Sequence, residues 1–208
     1  MRSMSRFVLG LAALVAAMAG FRAEPEAANA ATGGGGAVLV GDGEVFVGEP
    51  ANQFRPGLVY VYRKSGTGWA EVAKLSKPDA AVGDRFGSSL TLDGTRLFVG
   101  AGGQAVHIFD RQGTTWTHVG KVEPTAVTGA ENVQFGAIGA SGDWLFVGQT
   151  VVLGGRGGRG AGANAAPPPF GRVYAFKRNA SGGYDYSATL ASPEIEASGD
   201  GFGSAIGI

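Results

Sequence analysis

The chain of 208 residues holds two imidazoles, His107 and His118, and no cysteine. Histidine catalysis or zinc binding needs partners at ligand spacing, such as a second histidine four residues along a helix or a nearby cysteine pair. Two histidines eleven residues apart make no such motif. The lack of thiols removes thiolate catalysis, cysteine-based zinc sites and a disulfide scaffold. No Ser-His-Asp set assembles around either imidazole, and no pair of carboxylates recurs at matched positions. We therefore expect no enzyme, no catalytic residue, no metal and no cofactor.

Two glycine-rich stretches could in principle handle phosphate. GAGGQA at 100–105 fits G-x-G-x-x-A by its letters. A dinucleotide fingerprint needs a helix after the glycines, so that the pyrophosphate meets a helix N-terminus. Here the alternating run AVHIF at 105–109 follows instead and reads as a strand. GGRGGRG at 154–160 resembles segments that bind RNA, but the chain sets 17 Lys and Arg against 17 Asp and Glu. A nucleic-acid surface needs a basic excess. The stretch reads as a flexible loop ended by the stiff run Pro167, Pro168 and Pro169. Its Arg156 and Arg159 are candidates to meet an acidic protein or glycan.

The N-terminus addresses the chain. Arg2 and Arg6 precede an uncharged apolar run at 7–21, and Ala28, Asn29 and Ala30 fit a small-x-small cleavage site. Ala17, Met18 and Ala19 form a second candidate site. This is the pattern of a secretory signal peptide. The run falls short of the roughly 20 residues that cross a bilayer. Residues 1–30 are assigned to the signal peptide and 31–36 to a Gly-rich linker. Removing Arg2, Arg6, Arg22, Glu24 and Glu26 leaves the chain close to neutral. The expected location is the medium, the cell surface or the periplasm.

What positions any functional group is a repeat. The 38 glycines suit turns better than helices. Phe-Val-Gly occurs at Phe46, Phe98 and Phe146, each preceded by an aliphatic residue and, just upstream, by Asp42-Gly43, Asp93-Gly94 or Gly142-Asp143. An Asp-Gly pair between apolar runs predicts a hairpin with a type I′ turn. Downstream come LVYVY at 58–62, AVHIF at 105–109 and RVYAF at 172–176. An aromatic follows (Trp69, Trp116, Tyr184), then an aliphatic six residues on (Leu75, Val122, Leu190), a proline, and Phe-Gly again at Phe86, Phe135 and Phe202.

Each unit is thus four short strands, A to D, and units of this length form β-propeller blades. Both faces of strand C are apolar or aromatic, as in sheets packed against neighbours on both sides. Strand D carries Glu71, Lys74, Thr117, Lys121 and Asp185, which suits an outer edge protected by charge. The fold class is all-β: a propeller of four-stranded antiparallel blades at 37–78, 84–124 and 133–193. The first strand of a fourth follows at 200–208, so the propeller is incomplete. By alignment His107 fills the aromatic slot of Tyr60 and Tyr174, and His118 lies on the outer strand.

The units resemble the FG-GAP repeat of integrin alpha chains and of many bacterial exported proteins. The likeness covers roughly 34–208 and is weakest at the start, where glycines replace Phe-Gly. It implies a seven-bladed propeller, so that the chain is expected to be a fragment of a longer protein or a truncated gene product. It also brings an expectation of calcium, held by D-x-D-x-D-G-x-x-D loops between strands A and B. Here each A–B turn offers a single carboxylate, too few for a hard cation, and no calcium is expected.

In such a meander the B–C and D–A connections share one face of the disc. They are the longer ones here, at 49–57, 76–85, 123–134, 149–171 and 191–201. Loops on a rigid scaffold concentrate binding, so this is the expected ligand face, with Asp84, Arg85, Arg156 and Arg159 as its candidate contacts. The implied function is an exported, noncatalytic module for protein or glycan binding or cell adhesion. Membrane contact would come only through the export signal or a downstream anchor. The alternative is an accessory propeller of a larger exported enzyme whose catalytic domain lies beyond residue 208.

Overall fold

The computed structural model describes residues 36–50, 53–128, 133–149, 171–192 and 202–208. Among them, strands form three four-stranded sheets, each antiparallel and each in chain order. The first holds β1 Val38–Gly41, β2 Glu44–Glu49, β3 Leu58–Ser65 and β4 Gly68–Leu75. The second holds β5 Phe86–Asp93, β6 Arg96–Ala101, β7 Ala105–Gln112 and β8 Thr115–Val122. The third holds β9 Phe135–Ser141, β10 Trp144–Gln149, β11 Arg172–Arg178 and β12 Tyr184–Ala191. They are consecutive blades of an incomplete propeller. Among the described residues no helix is long and apolar enough to cross a membrane.

Alternation along the strands sends opposite faces of each blade into different cores. Phe46, Val59, Val61 and Leu75 of the first blade meet Phe86, Leu97, Val99, Phe109 and Trp116 of the second. The other face of the second blade, with Phe98, Val106, Ile108 and Val122, meets Leu145, Val147, Tyr174, Phe176 and Tyr184 of the third. The double-sided apolar pattern of strand C therefore has its cause in these two cores. Each fully buried Leu or Phe contributes about 1.5–3 kcal/mol.

Close to the axis the blades meet through main chain. A Cβ on Gly48 would lie 2.1 Å from the Gly87 carbonyl oxygen, and one on Gly148 would lie 1.9 Å from that of Gly203. At the junction of the second and third blades the Ser89 hydroxyl fills this gap and donates to the Gly136 carbonyl at 3.1 Å. The Phe-Gly start also carries a bulge: pairing of β5 with β6 skips between Phe86 and Ser89, and Gly87 takes φ +91°.

The turns depart from the sequence expectation. Of the three A–B turns, only Asp42-Gly43 has positive φ at both central positions, as a type I′ turn requires. Asp93 is the last residue of β5, and Gly94-Thr95 make the turn with φ positive at Gly94 alone. That is the type II′ pattern, and Gly142-Asp143 repeats it. The strand register, not the dipeptide, decides which residues occupy the corner.

The expected first strand of a fourth blade also differs. Residues 202–208 belong to no sheet among the described residues, because a strand needs a ladder partner. They still lie along the third blade, with Ile206 and Ile208 against Gly139.

Candidate functional site

The first B–C and D–A connections, at 49–57 and 76–85, are laid edge to edge by a bridge between Pro56 and Val82. Beside that bridge stand two exposed apolar side chains, Phe54 at 91% and Val82 at 58%. A network rises from the sheet below them. The Tyr60 hydroxyl donates to Glu49 Oε2 at 2.7 Å, and Arg55 Nη2 donates to Glu49 Oε1 at 3.1 Å. Burial, and then the Glu49 carboxylate, push the Tyr60 phenol up to about 12, so it stays a donor at neutral pH. The third blade repeats the contact as Tyr174 Oη to Gln149 Oε1 at 2.7 Å.

Asp84 lies beneath this face. Its Oδ1 accepts the main-chain N–H groups of Gly57 at 3.0 Å and Phe86 at 3.1 Å, and its Oδ2 accepts that of Ala81 at 3.1 Å. Lys77 Nζ stands 3.8 Å away. The carboxylate is buried and filled by the chain's own donors. It fixes two connections against each other rather than presenting itself to a ligand. Arg85, by contrast, is exposed, and its aliphatic stem covers Gly102. Arg156 and Arg159 lie outside the described residues.

Next to these connections the second blade holds its histidines. His107 is 3% exposed and packs edge-on to Phe86 at 5.7 Å, in the aromatic slot expected of it. His118 is not simply an outer-strand residue. Its Nε2 stands 3.1 Å from His107 Nδ1, so one ring donates to the other. A bulge brings them together: Ile108 pairs with Gly120 but Phe109 pairs with His118, leaving Val119 over. The same shift leaves Val72 over in the first blade and Ser187 over in the third. Burial, then the neighbouring His118 and Lys77, push His107 down to about 4, and burial lowers His118. Both shifts favour the neutral rings, which pack against Phe86 and Phe109.

On the opposite face an open depression of about 350 Å³ is lined by Asp143, Arg178, Asn179, Ala180 and Gly182. The Asn179 carbonyl there is taken up by Ser181 and Gly183 of its own turn. The Asn179 side chain there is thus committed to its own turn, while Asp143 and Arg178 are exposed.

Residues 69–112 match the family model of the FG-GAP repeat. The chain carries an FG-GAP repeat. The matched unit runs from the outer strand of the first blade through β5, β6 and β7, so the FG-GAP repeat straddles the junction held by Asp84. No curated protein matches the sequence. Among solved structures, one similar chain comes from an S. cerevisiae complex of Dbp5 bound to Nup159, Gle1, IP6 and ADP. It is 8% identical with a TM-score of 0.44, over 73% of this chain and 35% of that one. Another is the N-terminal domain of Nup159, 12% identical with a TM-score of 0.37, over 76% and 31%. The chain spans about a third of the length of either.

Sequence reasoning named Asp84 and Arg85 on these connections but missed Phe54. A signal was there: a lone aromatic in QFRP at 53–56, outside every alternating run.

Proposed function

We propose that this chain is an exported, noncatalytic binding module whose ligand is an extracellular protein or glycan. It takes that ligand on the face of the B–C and D–A connections. The observation that carries this reading is Phe54, 91% exposed beside Val82 and next to the Arg55–Glu49 ion pair. A large exposed aromatic rimmed by charge suits stacking on a sugar or filling a pocket on a protein. The FG-GAP blades supply rigidity, and the connections supply recognition. Export rests on the residue pattern at 1–30.

The test is binding of the full chain to arrays of glycans and extracellular matrix proteins. Phe54→Ala and replacement of the connection between Gln149 and Gly171 are compared with the parent. Loss of binding in either variant supports the face. Binding unchanged in both, or turnover of a captured ligand, overturns the reading. Export is tested by sequencing the N-terminus of secreted protein: cleavage after Ala30 or Ala19 is expected, and cytoplasmic retention refutes it.

A further inference from the structure

The three C–D turns are not alike. Gly66 and Thr67 join β3 to β4, and Gly113 and Thr114 join β7 to β8. Between β11 and β12 the chain instead runs through Asn179, Ala180, Ser181, Gly182 and Gly183. The hairpin closes without such extra residues in the other two blades, so the repeat does not ask for them. They carry a signal of their own. Of all the asparagines in the chain, only Asn179 has Ser or Thr two positions on, at Ser181, and Ala180 stands between them. Asn-x-Ser/Thr with x other than proline is the acceptor pattern for an N-linked glycan and belongs on a surface loop.

The geometry of the turn fits that chemistry. Asn179 Oδ1 accepts the Ser181 hydroxyl at 2.7 Å and the main-chain N–H groups of Ser181 at 3.2 Å and Gly183 at 2.9 Å. Donors on the carbonyl oxygen polarise the amide and make its own N–H groups more acidic. Nδ2 carries two of these, and one donates to Asp185 Oδ1 at 2.9 Å, on the surface. A sugar on Nδ2 replaces one hydrogen and leaves the other for Asp185, so the folded turn keeps its bonds. There is room as well. Ala180 and Ser181 are exposed, and the open depression of about 350 Å³ begins at Asn179. The turn is also held in place. Arg96 Nη1 donates to the Gly182 carbonyl at 3.2 Å, and Asp110 grips that Arg96 at 2.6 Å and 2.7 Å.

We propose that Asn179 is the acceptor of an N-linked oligosaccharide. Only an exported chain meets the transferase, so this site rests on the export proposed above. The donor is an oligosaccharide joined through its anomeric carbon to a polyprenyl pyrophosphate. Asn179 Nδ2 bonds to that carbon, the bond from the carbon to the phosphate oxygen breaks, and the polyprenyl pyrophosphate leaves with the electron pair. The proton lost from Nδ2 goes to a base on the transferase. The bonds that shape Asn179 all lie within residues 179–185, so the acceptor turn can form before the blades assemble. A glycan there stands at the opposite end of β11 from the B–C connection. It shields the turn and not the connections.

The experiment is translation of the 208-residue chain, with its own N-terminus, in the presence of secretory microsomes. Export is read by protection from added protease and by removal of the leader. Modification is read as a single rise in mass. An amidase that releases Asn-linked glycans should reverse it and turn Asn179 into an aspartate, located by peptide mass spectrometry. Ser181→Thr should keep the rise. Asn179→Gln and Ser181→Ala should lose it while the chain stays protected. A protected but unmodified parent overturns the site and leaves export standing. So does a rise that survives Asn179→Gln or resists the amidase. A chain left open to protease overturns export, and the site with it.

Discussion

Lowering the pH from 7 to 4.5 should loosen the FG-GAP junction through His107. Burial, then His118, pushes the ring down to about 4 in the folded chain, against an ordinary value of about 6.5. The unfolded chain therefore takes up the proton first, and folding stability falls as pH drops from about 6.5 towards 4. Linkage over that window gives a loss of about 2 kcal/mol between pH 7 and pH 4.5. Above pH 6.5 the group contributes almost no pH dependence. Carboxylates held down by cations, such as Asp110 beside Arg96, also lose stability in acid, so the parent alone does not isolate the ring. The assay is urea unfolding of the parent and of His107→Phe at both pH values. Phenylalanine keeps the contact with Phe86 and cannot protonate. The stability change between the two pH values should be smaller in the variant by about 2 kcal/mol. Equal changes in the two proteins would refute the assignment of a buried neutral ring.

Gly48→Ala should destabilise the fold by about 3 kcal/mol or more, because its Cβ meets a main-chain oxygen that cannot step aside; a melting shift within error of the parent would contradict it. Asp84→Ala strands three main-chain N–H groups and should cost about 3–5 kcal/mol, with amide exchange rising first at Gly57, Ala81 and Phe86. Asn179→Ala removes the acceptor that shapes the β11–β12 turn and should cost about 1 kcal/mol in chemical denaturation, without altering binding on the far face.

The strands were legible because each has a local cause. Phe-Val-Gly marks β2, β6 and β10, and the alternating runs mark β3, β7 and β11. Pairwise matters were not. Asp93-Gly94 looks like a corner, yet the partner strand places Asp93 in the ladder. The His107–His118 contact depends on one surplus residue, Val119, which no spacing rule reveals. Asp84 looks like a loop carboxylate open to ligands. Its burial follows from main-chain donors on two connections, one of them 27 positions away at Gly57. Phe54 was passed over because solitary aromatics in connections carry no period to read.

The meeting of Gly48 with Gly87, and of Gly148 with Gly203, involves no side chain. Two modules joined in that manner need only a glycine and a matching backbone shape near the axis. A gene segment copied in tandem would find a ready seat beside its parent from the first generation. Its rim and connections could then diverge without disturbing the hub, so such a protein can lengthen by duplication and specialise one vane at a time.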